Sequence, residues 1–123
     1  MTIARIATGV GLVAATLLGG AATANAAPAS AYPRVTAWHD VNARQGCAAT
    51  TCPIDPVWSM KAGDSRPGIC WKQGEKITAY GITNDIWVVI SLEDGMSRNV
   101  SAVFLTGDKY GNLPADAKCE PWD

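Results

Sequence analysis

Few side chains in this sequence could do chemistry: four cysteines, Cys47, Cys52, Cys70 and Cys119, one histidine, His39, and a scatter of carboxylates. The pair in Gly46-Cys47-Ala48-Ala49-Thr50-Thr51-Cys52 raises three readings: metal knuckle, redox pair or covalent staple. A closed zinc site needs four ligands, and with one histidine it would take all four thiols or a carboxylate. A redox pair is expected as C-x-x-C at a helix start, whereas the spacing here is C-x-x-x-x-C. A staple is the expected state, with no metal and no cofactor. Four cysteines allow three pairings. The favoured ones are Cys47 with Cys52, where four small residues turn the chain back, and Cys70 with Cys119, which ties a late segment to the middle. Loop-closure entropy assigns about 4 kcal/mol to the long bridge and about 2 kcal/mol to the short one.

Catalytic readings find little support. Nucleophilic hydrolysis needs a serine or thiolate next to an oriented base, but the thiols are expected to be oxidised and there is no G-x-S-x-G. His39, beside Asp40 at a strand end, reads as a surface residue. Glycan cleavage needs two carboxylates at fixed separation, one kept protonated by burial. Asp55, Asp85, Asp94 and Asp108 lie beside Pro, Gly or Asn, and Glu93 lies in the same turn as Asp94-Gly95, where a carboxylate is solvated or caps a turn. The expectation is a protein that is not an enzyme.

The compartment follows from the first residues. MTIAR carries one positive charge and is followed by the uncharged IATGVGLVAATLLGGAATA, the layout of a signal peptide. Ala24-Asn25-Ala26 satisfies the small-x-small rule, so cleavage is expected between Ala26 and Ala27. Gly9, Gly11 and Gly19 argue against a retained membrane helix. Residues 1–26 are read as leader, 27–33 as linker and 34–123 as the ordered domain. Cleavage removes Arg5 alone among the charges, leaving the remainder one unit more negative than the full chain's −1. No run of Lys and Arg is present to follow phosphates or an anionic membrane. The expected protein is secreted, extracellular or cell-wall associated, and monomeric, with neither nucleic acid nor membrane as partner.

Prolines and glycines break the chain too often for a helical stripe, and the apolar runs are short and rich in Val, Ile, Thr and Trp. The class is all-β. The clearest strand is Ile86 to Leu92, with Ile86, Val88, Ile90 and Leu92 on one face at period two. Asn84-Asp85 should mark its start, and Asp94-Gly95 should supply the positive-φ positions of a hairpin turn into a returning strand from Arg98 to Leu105. Further strands are expected at Arg34–Trp38, Val57–Met60, Ile69–Lys72 and Ile77–Tyr80, separated by turns at DVNARQG, AGDSRPG and QGE. Five or six short strands fit one small, partly open barrel stapled by disulfides. Five tryptophans exceed the needs of so small a core. Trp87 alternates away from the aliphatic face, toward the exterior or a second small core under a loop. Trp58 and Trp71 flank AGDSRPG and could line a groove that stacks on sugar rings or proline. Asn99-Val100-Ser101 is a formal glycosylation sequon, read as accidental.

The stretch V-T-A-W-H-D-V-N-A-R-Q-G, residues 35–46, resembles the bacterial SH3-like family, whose opening strand is followed by Leu-Asn-Val-Arg-Ser-Gly-Pro. Val41 stands for the Leu, Asn42, Arg44 and Gly46 are kept, and Cys47 replaces the Pro. Gly74-Glu75-Lys76-Ile77-Thr78 and Ile86-Trp87-Val88-Val89 resemble two later strands of that family, so the likeness spans most of residues 35–107. A closer likeness is to small exported bacterial proteins of this type, in which one Cys opens the middle strand and another ends the chain, as Cys70 and Cys119 would. Met96 to Ser101 replaces the family's late Gly-Trp-Val, so no role of that Trp transfers. The resemblance implies a non-catalytic module binding peptide or cell-wall material in a groove beside the first long loop. Candidate ligand contacts are Arg44, Trp58, Trp71 and Trp87, although Arg44 reads more readily as a structural residue whose stem packs across the barrel. The ligand is an unidentified peptide, glycan or protein. Two other readings are a secreted inhibitor or toxin presenting the rigid loop 47–52 to a protein partner, and a small cell-wall hydrolase.

Overall fold

The computed structural model describes residues 31–121. The leader at 1–26, its cleavage at Ala26–Ala27, linker residues 27–30 and Trp122 lie outside the described residues. Six antiparallel strands form one curled, half-barrel sheet: β1 (Arg34–Thr36), β2 (Val41–Arg44), β3 (Ile54–Met60), β4 (Ser65–Ala79), β5 (Ile82–Ser91) and β6 (Ser97–Ser101). Their order across the sheet is β1-β4-β5-β6-β2-β3. A 3-10 turn over Ala102–Phe104 follows β6, with the Ser101 hydroxyl accepting from the Val103 N–H. Leu105 then bridges to Ala37, flanked by bonds from Trp38 N to Phe104 O and from Thr106 N to Thr36 O. The chain just past the last strand thus pairs with the chain just past the first.

Central position explains why β5 is apolar on both faces. Ile86, Val88 and Ile90, with Leu92 just past the strand end, join Val35, Met60, Val100 and Leu105 in the main core. Trp87 points the other way and is also buried, at 2% exposure. Each such aliphatic or aromatic side chain contributes about 1.5–3 kcal/mol by leaving water.

Several boundaries differ from the sequence reading. The segment read as a turn at DVNARQG contains β2, because Val41 and Ala43 alternate inward while Asn42 faces solvent. The strands expected at Ile69–Lys72 and Ile77–Tyr80 are one strand, and QGE is a bulge inside it. Between Gln73 and Ile77 β4 carries extra residues against the shorter run Ile86 to Asn84 of β5. Likewise β5 begins at Ile82 and runs through Asn84-Asp85. The β4–β5 turn is Tyr80-Gly81, with φ of 54° and 78°, a pair of left-handed conformations that joins two strands in two residues. At Asp94-Gly95 only Gly95 takes a positive φ. Asn99 of the sequon is buried in β6.

Cys47 is bonded to Cys52 and Cys70 to Cys119, with Cα separations of 5.9 and 4.9 Å, and the described residues hold no free cysteine. Closed cystines are the chemistry of an oxidising compartment. Around the second bond, the C-terminal segment lies along β4. Trp71 N donates to Ala117 O, Cys119 N donates to Trp71 O, and the Trp71 indole donates to Ala115 O at 3.1 Å.

At the far edge, β3 folds on itself. Pro56 has no N–H, and Asp55 Oδ1 accepts from Val57 N at 3.0 Å and Trp58 N at 3.2 Å. Its other oxygen accepts from Arg98 Nε at 2.8 Å, an ion pair that passes over β2 to join β3 to β6. Burial would raise the Asp55 pKa, but the Arg98 hydrogen bond, the two backbone donors and the Arg98 charge together outweigh it and hold the carboxyl below its ordinary 3.8.

Candidate functional site: an aromatic corner beside a stapled loop

The short disulfide shapes one wall of the site. Residues 48–51 dock onto the β4 bulge: Glu75 N donates to Ala48 O at 3.0 Å, and the Glu75 carboxylate accepts from both the N–H and the hydroxyl of Thr50. Those two bonds hold the Glu75 pKa below 4.5, with burial opposing and the Arg44 charge adding. Gly74 makes the close approach possible. A Cβ there would lie 2.5 Å from the Ala48 carbonyl oxygen and 2.8 Å from Trp87 Cδ1. Beneath the docked loop sits Trp87, its indole N–H donating to Glu75 O at 2.9 Å.

Arg44 reaches from β2 to the same loop, donating to Thr50 O at 3.0 Å and Cys52 O at 3.2 Å. It therefore braces the staple with its guanidinium. Arg44 and Trp87 line a groove of about 190 Å³, together with Asp40, Thr50, Ile77 and Phe104.

Phe104 belongs also to a cluster of four rings. Trp38 and Tyr80 meet edge to face at 5.5 Å, His39 and Tyr80 lie 4.7 Å apart, and His39 and Phe104 lie 5.9 Å apart. Two polar bonds fix the rings: Trp38 Nε1 donates to Val103 O at 2.9 Å, and the Tyr80 hydroxyl pairs with His39 Nε2 at 2.8 Å. Yet Trp38 is 38% and Tyr80 66% exposed. Large rings held rigidly in water present apolar area that loses little conformational entropy on binding.

The structure thus brings Arg44 and Trp87 together and separates the other two sequence candidates. Trp71 is a core residue, stacked on Tyr110 at 4.5 Å and covered by the C-terminal segment, and it shares no groove with Trp58. Trp58 lies half-buried in a separate depression, with Arg66 5.6 Å from its ring. No spacing in the sequence groups Trp38, His39, Tyr80 and Phe104. The carboxylates are dispersed: Asp94 and Asp108 cap turns, Asp85 accepts from Gln73, and Asp55 pairs with Arg98. Among the described residues no three His, Cys, Asp or Glu side chains converge on a metal position, and no helix is long and apolar enough to cross a membrane.

Compared with family models, curated proteins and solved structures, the chain matches none.

Proposed function

We propose that this protein is an exported, non-catalytic binding module of SH3-like type that recognises peptide or cell-wall material in the groove between the stapled loop and the aromatic corner. The observation carrying the reading is the rigid, exposed pair Trp38 and Tyr80 beside a groove floored by Trp87. Aromatic faces stack on pyranose rings and on proline alike. Asp40 and Arg44 on the groove wall offer one acceptor and one donor to orient what is stacked. Export fits the two closed cystines and the leader-like first residues.

The test is retention of the purified protein on isolated bacterial cell wall and on an immobilised proline-containing peptide, compared with Trp38→Ala and Tyr80→Ala. Retention that falls about tenfold in both variants supports the reading. Absence of retention on either material, or retention indifferent to both substitutions, overturns it.

A further inference from the structure

A second depression, sharing no lining residue with the aromatic groove, lies where β1 meets the start of β4. Two guanidiniums converge there on one backbone oxygen. Arg34 Nη2 donates to Ser65 O at 2.8 Å, and Arg66 Nη1 lies 3.3 Å from the same atom. That carbonyl is neutral, and among the described residues neither arginine has a carboxylate partner. In addition, Arg66 Nε is buried with no hydrogen-bond partner. A desolvated donor without an acceptor is unfavourable, and two adjacent cations with no carboxylate in ion-pair contact add to that. Elsewhere in this fold the comparable group is satisfied: Arg98 Nε donates to Asp55.

We propose that Arg34 and Arg66 form a receptor for the C-terminal carboxylate of a peptide whose last side chain is apolar. A carboxylate has two oxygens with about four acceptor sites, enough to take donors from both guanidiniums at once. Beside the arginines, Trp58, Pro67 and Leu92 supply the apolar wall for the terminal side chain. The volume, about 260 Å³, lies below the roughly 300–1,000 Å³ of sites that enclose a whole drug-sized ligand, and so suits one terminal residue. Exposed Glu93 at the same depression repels polyanions and dianions, and it can accept an N–H from the residue before the carboxylate. One negative charge next to one donor is what a peptide terminus presents. The assignment is independent of the aromatic groove.

The test is a two-dimensional NMR titration of the full chain with acetyl-Gly-Leu as the free acid and as the C-terminal amide. The free acid is expected to shift the Arg66 Nε–H and Trp58 Nε1–H signals saturably, and the amide to bind about tenfold more weakly or worse. Arg34→Gln and Arg66→Gln should each weaken the acid by about the same factor. Because both reporter residues lie outside the aromatic groove, failure here and failure of the groove reading are told apart. Equal binding of acid and amide, no saturable shift with the acid, or a preference for glucuronate over the dipeptide overturns the proposal. The acid-to-amide contrast is read on the unsubstituted protein and decides the matter even if an arginine variant does not fold.

Discussion

Thr50 donates twice to a single oxygen of Glu75, from its N–H at 2.7 Å and from its hydroxyl at 2.8 Å, and so fastens the stapled loop to the β4 bulge. A disulfide closing six residues restricts the loop but does not by itself place it. Placement comes from this pair and from the Ala48–Glu75 backbone bond. Glu75→Ala should therefore increase hydrogen exchange at the Thr50 amide while exchange in β5 stays slow. Slow exchange at Thr50 in the variant would contradict that role.

Gly74→Ala tests the same contact from the other side. The added methyl meets backbone at Ala48, which cannot rotate away, so a cost of about 1–3 kcal/mol is expected in denaturant unfolding. Trp87 emission should shift to the red as the loop lifts. Unchanged stability and emission would mean that the loop is not seated on the bulge.

Acid should weaken the molecule in a defined window. The Asp55 pKa is lowered in the folded state, so its stabilising contribution is complete above the ordinary 3.8 and is lost as pH falls through the lower folded value. Glu75, lowered from 4.5, behaves in the same sense. Asp55→Asn should be less stable at neutral pH, and the deficit should shrink as pH approaches about 2. Unfolding curves across that range are the check, and a constant deficit would show that the Arg98 pair is not the titrating element.

The two bridges should differ in weight. Replacing Cys70 and Cys119 together by Ala should cost about 4 kcal/mol, against about 2 kcal/mol for the Cys47 and Cys52 pair, in line with their loop lengths. Loss of the long bridge should also expose Trp71, as the C-terminal segment detaches from β4. Loss of the short one should leave Trp71 unchanged and disturb Trp87.

How much of this could be read beforehand follows from what is local. The aliphatic face of β5 is written at period two in Ile86, Val88, Ile90 and Leu92, and the all-β class follows from many such short runs. Strand β2 is hidden in the sequence because Asp, Asn, Gln and Gly around it carry turn composition, while its own alternation lasts only four residues. Gln73-Gly74-Glu75 looks like a turn for the same reason, but tertiary contact with Ala48 and Trp87 makes it a bulge. The ring cluster joins Trp38 and His39 to Tyr80 and Phe104, residues far apart in sequence that only the pairing of Ala37 with Leu105 and the hairpin tip bring together. No spacing rule encodes such a meeting. Trp58 and Trp71 flank one turn yet end in different surroundings, because flanking a turn fixes neither face nor depth.

The treatment of β3 bears on how the edge of an open sheet avoids pairing with another chain. At positions 56, 57 and 58 the outermost strand offers no spare donor: one residue is proline and the next two are held by Asp55. Backbone pairing by a second chain is disfavoured along this stretch, where no free N–H is presented. The exposed Ile54 and Val57 of this strand thus sit beside backbone that is poorly able to extend the sheet.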